Sequence, residues 1–141
     1  MQAEPVQNSQ AFQIDPERFK EWFEAPDPDG DFAMPNLPQR IREALGTEAT
    51  SLVFSAETLA KQKRRHPEIT VNDYVGVLNG IPHCNEIYKT RDFHVGLVVN
   101  DQKTWAVILK TTVNRMESYM VSLYRLNKDA LATFRKAERV H

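Results

Sequence analysis

Three polar side chains, His66, Lys110 and Ser122, have the residue types and positions that suit catalysis. Histidine is the residue type best suited to moving a proton near neutral pH. Lys110 follows an apolar, β-type run over residues 106–109, and Ser122 lies within a second such run over residues 119–124. A lysine on a sheet can stabilise negative charge on a phosphate, and a hydroxyl can bind a phosphate oxygen. Together these residues indicate acid–base chemistry at a phosphate group.

Six further polar residues are candidates for binding a phosphate-containing substrate. Two of them belong to a basic run over residues 61–65 that leads directly to His66, and the others lie in or beside the two β-type runs. They are Lys61, Arg65, Thr111, Thr112, Tyr124 and Arg125. Charges spaced at helical intervals cannot all face one way, so part of the basic run is expected to be solvated surface.

Each candidate also has a simpler structural interpretation. Lys110 can be a lysine at a strand end that reaches solvent, because lysine is rarely buried without a partner. The Ser122 hydroxyl can be bonded within its own sheet, and Tyr124 can be a packing aromatic with a solvated hydroxyl. His66 can be a helix-terminal histidine that interacts favourably with the helix dipole. Which interpretation holds depends on whether the fold brings the three side chains together.

The sequence predicts neither a metal site nor a cofactor. The acidic run over residues 27–31 has the alternate aspartates of a calcium loop, but Gly30 comes one place early and Pro38 stands where the bidentate glutamate should be. The five glycines are scattered, so there is no glycine-rich phosphate loop. Four residues of zinc-binding type lack the paired spacing of zinc ligands: His66, His83, Cys84 and His94.

Length and composition indicate one soluble, non-secreted domain. The 141 residues include a single cysteine, no apolar run near the roughly 20 residues that cross a bilayer, and no signal-peptide pattern. Residues 1–48 carry a net charge of −6 and residues 49–141 a net charge of +5. The basic part suits a polyanionic partner, although a charge of this size is also ordinary for a surface.

The pattern of elements is typical of an α+β domain, with N-terminal helices followed by a sheet and a last helix. Helices are predicted from Pro16, over 38–45, from Ser55 to the residue before Pro67, and over 71–78, and a short strand over 51–54. Short connections predict that four later strands form a roughly four-stranded antiparallel sheet, over residues 85–89, 94–99, 104–112 and 117–126. A last helix is predicted from Asn127 to about residue 140, with Leu131 and Phe134 facing inward.

Several local motifs over residues 50–126 carry a resemblance to a known family. A strand leads into a helix over residues 51–56, and the basic element Arg-Arg-His-Pro-Glu follows at 64–68. A short helix and a linker come next, and then strands that end in Leu-Lys-Thr-Thr at 109–112 and Val-Ser-Leu-Tyr at 121–124. In these features the chain resembles the phage-associated branch of the barnase–EndoU–colicin–RelE-like (BECR) nucleases.

This resemblance implies a BECR-like nuclease domain over residues 49–141, preceded by an acidic N-terminal extension over 1–48 with two short helices. It implies metal-independent RNA cleavage, in which a 2′-hydroxyl attacks the adjacent phosphate. His66, Lys110 and Ser122 would be the catalytic residues, and Lys110 or Tyr124 would supply the second acid–base group. RNA, with tRNA as one candidate, would be the partner. The acidic extension would offer a surface to a phage or immunity protein, in the bacterial cytoplasm or the virion.

Three functions follow, and each makes a different structural prediction. A toxin-like or phage-associated RNA endonuclease requires His66, Lys110 and Ser122 to lie together. A non-catalytic RNA- or protein-binding module leaves these three residues scattered. A phage structural or adaptor protein that acts through its N-terminal segment is expected to expose Phe19, Trp22 and Phe23 as an apolar patch.

Overall fold

The computed structural model describes residues 11–25 and 30–140, which form five α-helices, one short 3₁₀ turn and seven strands. The helices are α1 Pro16–Glu24, α2 Gln39–Leu45, α3 Ala56–Arg65, α4 Val71–Asn79 and α5 Lys128–Phe134. The strands are β1 Phe32–Met34, β2 Leu52–Phe54, β3 Glu86–Thr90, β4 Phe93–Asn100, β5 Lys103–Thr111, β6 Ser118–Arg125 and β7 Glu138–Arg139, with the 3₁₀ turn at Ile81–His83. None of the helices described is both long enough and apolar enough to cross a membrane.

Capping side chains set the helix boundaries, as the sequence predicts. The Asp15 carboxylate accepts a hydrogen bond from the Glu17 amide at the start of α1. Ser55 caps α3 in the same way, and Thr70 begins α4 with a reciprocal capping box that includes Asp73. Gly46 ends α2 in the left-handed conformation, with φ of 67°. These predictions are confirmed because capping depends on residues two to four positions apart.

The strands form one mixed sheet in the order β1-β2-β6-β5-β4-β3-β7. The four strands predicted from the sequence are confirmed as β3 to β6, and they pair antiparallel with their neighbours in this set. The prediction of a roughly four-stranded, antiparallel sheet is wrong, because β1 and β2 extend one edge, β7 extends the other, and β2 runs parallel to β6. The short strand predicted over 51–54 is confirmed as β2, whereas β1 and β7, with three and two residues, are too short for a recognisable alternation of apolar and polar side chains.

The predicted last helix is too long. Helix α5 ends at Phe134, and the chain then returns to the sheet, where residues 138–139 pair with Tyr88 and Lys89 of β3. The Val140 amide also donates to the Ile87 carbonyl. This two-residue edge strand, β7, forms hydrogen bonds with free backbone groups of β3. Because β3 is available as a partner only in the folded sheet, the sequence around residues 138–139 does not indicate the strand.

The sheet has two faces that differ in their covering. The inner face, which carries Val107, Leu109 and Leu123, packs against α1 to α4 in the main core. The outer face, which carries Ala106 and Ile108, is covered in part by α5 through apolar side chains that include Leu131 and Phe134, as predicted. The same outer face carries the polar residues described below.

The N-terminal segment is built into the same core. Phe19 is fully buried, and its ring contacts the rings of Phe54 and Tyr74. Trp22 and Phe23 are half-buried and pack against this core, so the exposed aromatic patch expected of an adaptor protein is absent from α1. Strand β1 pairs with β2, across the boundary predicted between residues 48 and 49.

Candidate functional site

A β-bulge in β6 sets the geometry of the candidate site. Ser122 pairs with Ile108 and Met120 with Leu109, so Val121 is an extra residue without a partner on β5. The sequence alternation predicts Met120 on the same face as Ser122 and Tyr124, which is wrong because the bulge moves Met120 to the buried inner face. Bulges of this kind are frequent beside active sites, where they redirect side chains.

Helix α3 runs along the outer edge of β6 and covers it with polar side chains. The Lys61 ammonium donates to the carbonyl oxygen of Val121. The side-chain amide of Gln62 bonds the backbone of Leu123, and the Ser122 hydroxyl donates to the Gln62 carbonyl oxygen over 3.4 Å. The helix therefore takes the place of a further strand along this edge.

His66 lies at the C-terminal cap of α3, where its imidazole stacks on the ring of Tyr124. The ring centroids are 6.0 Å apart and the ring planes differ by 17°. The His66 side chain is 29% exposed, and its Nδ1 atom is 3.5 Å from a carboxylate oxygen of Glu68. The stack positions an accessible imidazole over Tyr124, which is two residues along β6 from Ser122.

Lys110 lies on the same outer face, across the strand pair from β6. Its register partner is Tyr119, and it is two residues along β5 from Ile108, the partner of Ser122. This places the Cα atoms of Lys110 and Ser122 about 8 Å apart, from the rise per residue and the spacing between strands. The exposed Lys110 ammonium lies 5.6 Å from the centre of the Phe93 ring. A lysine side chain can span the remaining distance to a group bound above Ser122.

The structure places four of the predicted residues on one side of the sheet: Lys110, Ser122 and Tyr124 lie on its outer face and His66 stacks on Tyr124, with Lys110 four residues along β5 from Ala106, the partner of Tyr124. These four residues, with Lys61 at the adjacent edge, are called the outer-face cluster below. Arg65 is exposed at the end of α3, next to His66. The simpler interpretations also apply in part, since His66 does end a helix and the Ser122 hydroxyl has a partner.

Three predicted binding residues lie outside the outer-face cluster. The Thr111 hydroxyl is 2.9 Å from the buried Ser118 hydroxyl. The Thr112 hydroxyl donates to the Asn114 side chain within the β5–β6 hairpin. Arg125 is exposed at the end of β6 and pairs in register with the buried Trp105. Alternation along β5 predicts that Thr111 lies on the opposite face of the sheet from Lys110. The hydrogen bond of Thr112 within the hairpin cannot be predicted from the sequence.

Burial and neighbouring charge change the proton affinities of two residues in the cluster. Burial, with the positive charges of Arg65 and Arg64, lowers the pKa of Lys61 below its usual value. Burial raises the pKa of the Tyr124 phenol, which keeps that group protonated. The cluster therefore contains a histidine, a lysine that releases its proton more readily than usual, and the exposed Lys110.

Gln62 is the residue of the site that the sequence analysis missed. It is 1% exposed, although it lies within a strongly basic run. Its position in the sequence, three residues after the buried Leu59, gives a helical spacing that could have indicated an inward-facing side chain. Over residues 11–25 and 30–140, no group of three or more His, Cys, Asp or Glu side chains is placed to hold a metal ion.

Comparison with known proteins assigns no family. No protein-family model, curated protein or solved structure matches the chain. The functional argument therefore depends on the geometry of the outer-face cluster.

Proposed function

We propose that the protein is a small, metal-independent RNA endonuclease whose active site is the outer-face cluster. The observation that carries this proposal is the stack of His66 on Tyr124, on the same open sheet face as Ser122 and Lys110. An imidazole held on Tyr124, with Lys61 on the same helix and Ser122 and Lys110 on the same face of the sheet, offers the groups that cleavage by a 2′-hydroxyl needs: a base, an acid and positive charge.

His66 is the general base of the proposed reaction. Its imidazole takes the proton of the 2′-hydroxyl while the 2′-oxygen forms a bond to the adjacent phosphorus. The bond from phosphorus to the 5′-oxygen then breaks, and that oxygen receives a proton. The products are a 2′,3′-cyclic phosphate and a free 5′-hydroxyl.

Lys61 is the proton donor that we assign to the leaving oxygen. The chemical reason is that burial, Arg65 and Arg64 lower the pKa of Lys61, which makes it a stronger acid than an ordinary lysine. Tyr124 is less suited to this role because burial raises the pKa of its phenol. We therefore assign Tyr124 to holding the imidazole through the ring stack.

Lys110 and Ser122 bind the phosphate in this scheme. Lys110 is exposed and carries a mobile positive charge, which can neutralise the charge that develops on the phosphate oxygens. The Ser122 hydroxyl can turn from Gln62, which it contacts at a long 3.4 Å, to donate to a phosphate oxygen.

The test is cleavage of a labelled oligoribonucleotide by the purified chain in excess EDTA. The matched substrate carries 2′-deoxyribose at the cleaved position, which removes the attacking hydroxyl. We expect cleavage of the RNA alone, with a cyclic phosphate at the new 3′ end. His66→Ala should slow it by about 100-fold or more, the usual contribution of a general base.

His83→Ala is the matched control variant, because His83 is exposed and lies on the 3₁₀ turn, away from the outer-face cluster. Its rate should stay within about twofold of the wild type, as expected for a surface position. Cleavage of the deoxy-substituted strand would overturn the 2′-hydroxyl mechanism. Binding of RNA without cleavage by the folded wild type would instead favour the non-catalytic RNA-binding function.

A further inference from the structure

A polar cavity lies at the end of the sheet where the β3–β4 turn meets the β5–β6 hairpin. It has a volume of about 180 Å³, below the range of roughly 300–1,000 Å³ for drug-sized ligands. The end of α2 forms one wall, and Phe93 forms part of the rim. The polar side chains that line it, called the Lys89 pocket here, are Lys89, Arg91, Asp92, His94, Thr111, Thr112 and Arg115.

The lining of the Lys89 pocket is predominantly cationic. Lys89, Arg91 and Arg115 carry positive charge, and Asp92 is the acidic residue of the lining. Arg115 is anchored, since its Nε atom donates to the Gly46 carbonyl oxygen over 2.8 Å and its guanidinium lies 3.9 Å from the Glu48 carboxylate. Within the part of the chain that the structure describes, Lys89 and Arg91 form no ion pair.

His94 gives the pocket a hydrogen-bonding group at its base. It is half-buried and pairs in register with Lys89. Burial and the charge of Lys89 lower the pKa of His94, against an opposing effect of Glu138. A phosphate group bound beside this imidazole would favour its protonated form, so His94 is a natural reporter of anion binding.

Phe93 connects this pocket to the outer-face cluster. Its ring lies under the Lys110 ammonium at 5.6 Å, and the same residue lines the Lys89 pocket. The pocket opens towards the inner side of the sheet, beside α2 and Thr111, so a nucleotide chain that passes Lys110 reaches it by crossing the end of the sheet at Phe93.

We propose that the Lys89 pocket binds a phosphate group of the RNA substrate other than the one that is cleaved. This inference rests on the proposed function, because it takes the strand on the outer-face cluster as the source of that phosphate. The small volume, the two unpaired cations and the imidazole suit a single phosphate group. Lys89 and Arg91 are then the residues that extend the binding site beyond the catalytic phosphate.

The first experiment titrates the protein with inorganic phosphate and follows the His94 ring signals by NMR. We expect saturable shifts and a rise in the pKa of His94. Lys89→Ala/Arg91→Ala should weaken phosphate binding by at least tenfold, since a hydrogen bond to a charged group contributes about a factor of ten or more. Lys128→Ala/Lys136→Ala is the control, because both lysines are exposed outside the pocket.

The second experiment measures binding of a labelled oligoribonucleotide to the His66→Ala protein at several salt concentrations. Each single-strand phosphate contact contributes about 0.7 to the slope of log K against log salt. Because Lys89 and Arg91 would bind the same phosphate, Lys89→Ala/Arg91→Ala should lower the slope by about 0.7, whereas the control pair should leave it unchanged.

The outcomes separate the two possible sources of the phosphate. Shifts of His94 with phosphate but an unchanged RNA slope, or no RNA binding at all, would mean that the pocket takes a free phosphate and would overturn the RNA assignment. Absence of any His94 response would overturn the site itself. Failure of the proposed nuclease function appears separately, as absence of RNA cleavage by the folded wild type.

Discussion

The side chain of Gln62 bonds both backbone groups of Leu123. Its carbonyl oxygen accepts from the Leu123 amide over 3.3 Å, and its amide group donates to the Leu123 carbonyl oxygen over 2.7 Å. A strand would make the same pair of hydrogen bonds at this edge. Because Ser122 and Tyr124 flank Leu123, this contact also fixes the strand that carries half of the outer-face cluster.

Gln62→Leu should destabilise the fold by about 2–4 kcal/mol, because it leaves the buried amide and carbonyl of Leu123 without partners. The free energy of unfolding from urea denaturation measures the effect. Tyr74→Phe is the matched control, since it removes only the 3.1 Å bond between the Gln62 amide and the Tyr74 hydroxyl. It should cost about 1 kcal/mol. Equal losses for both variants would show that the edge contact contributes no special stability.

The stack of His66 on Tyr124 makes the aromatic ring, rather than the phenol, the important feature of residue 124. Tyr124→Phe keeps the ring and should retain cleavage within about threefold, since ring pairs contribute about 0.5–1.5 kcal/mol and this one is preserved. Tyr124→Ala should lose about tenfold or more, because the imidazole is no longer held. Single-turnover rates on the oligoribonucleotide measure both. A loss of about 100-fold in Tyr124→Phe would make the phenol the proton donor and remove Lys61 from that role.

Local sequence features predict the elements of this fold well, and the contacts between elements poorly. The caps at Ser55 and Thr70 are confirmed because they depend on neighbours within one helical turn. The alternation along β5 predicts correctly which face of the sheet Lys110 occupies, because the extra residue of the bulge belongs to β6 and not to β5. That bulge at Val121 reverses the alternation in β6, and nothing in the residues around it predicts an extra position.

The site also depends on a contact that joins residues about 60 positions apart in the chain. The sequence predicts both His66 and Tyr124 as candidates, but their stack exists only because α3 lies along the edge of β6. The parallel pairing of β2 with β6 places α3 there, and β2 contributes just two register pairs. Short pairings of this kind arise from the packed fold and cannot be found by periodicity.

Lys61→Arg tests the assignment of the proton donor. Arginine keeps the positive charge but stays protonated at all accessible pH values, so the rate should fall by about 100-fold. In the wild type the rate should decline at alkaline pH as Lys61 loses its proton, at a pH below the ordinary lysine value of 10.5 because its pKa is lowered. That decline should be absent in Lys61→Arg.

Lys63→Arg is the control for this experiment. Lys63 lies on the same helix but turns away to bond the Phe23 carbonyl, with its ammonium 4.6 Å from the centre of the Phe23 ring. Its pH–rate profile should match the wild type. An alkaline decline that persists in Lys61→Arg would assign the proton donor to another residue.

The thiol of Cys84 should make the stability of the fold depend on alkaline pH. Burial raises the pKa of Cys84 above the value of 9.0 expected for a free thiol, and the sulfur donates to the carbonyl oxygens of Glu86 and Leu97 over 3.1 and 3.2 Å. Above pH 9 the unfolded chain therefore loses a proton that the folded protein keeps, so the free energy of unfolding falls as pH rises towards the folded pKa. Cys84→Ala should reduce this fall between pH 8 and 10, measured by urea denaturation at each pH.

Tyr74, whose pKa is also raised by burial, contributes in the same direction above pH 10 and remains in both proteins. Identical pH slopes for wild type and Cys84→Ala would mean that the thiol ionises equally in the folded and unfolded states.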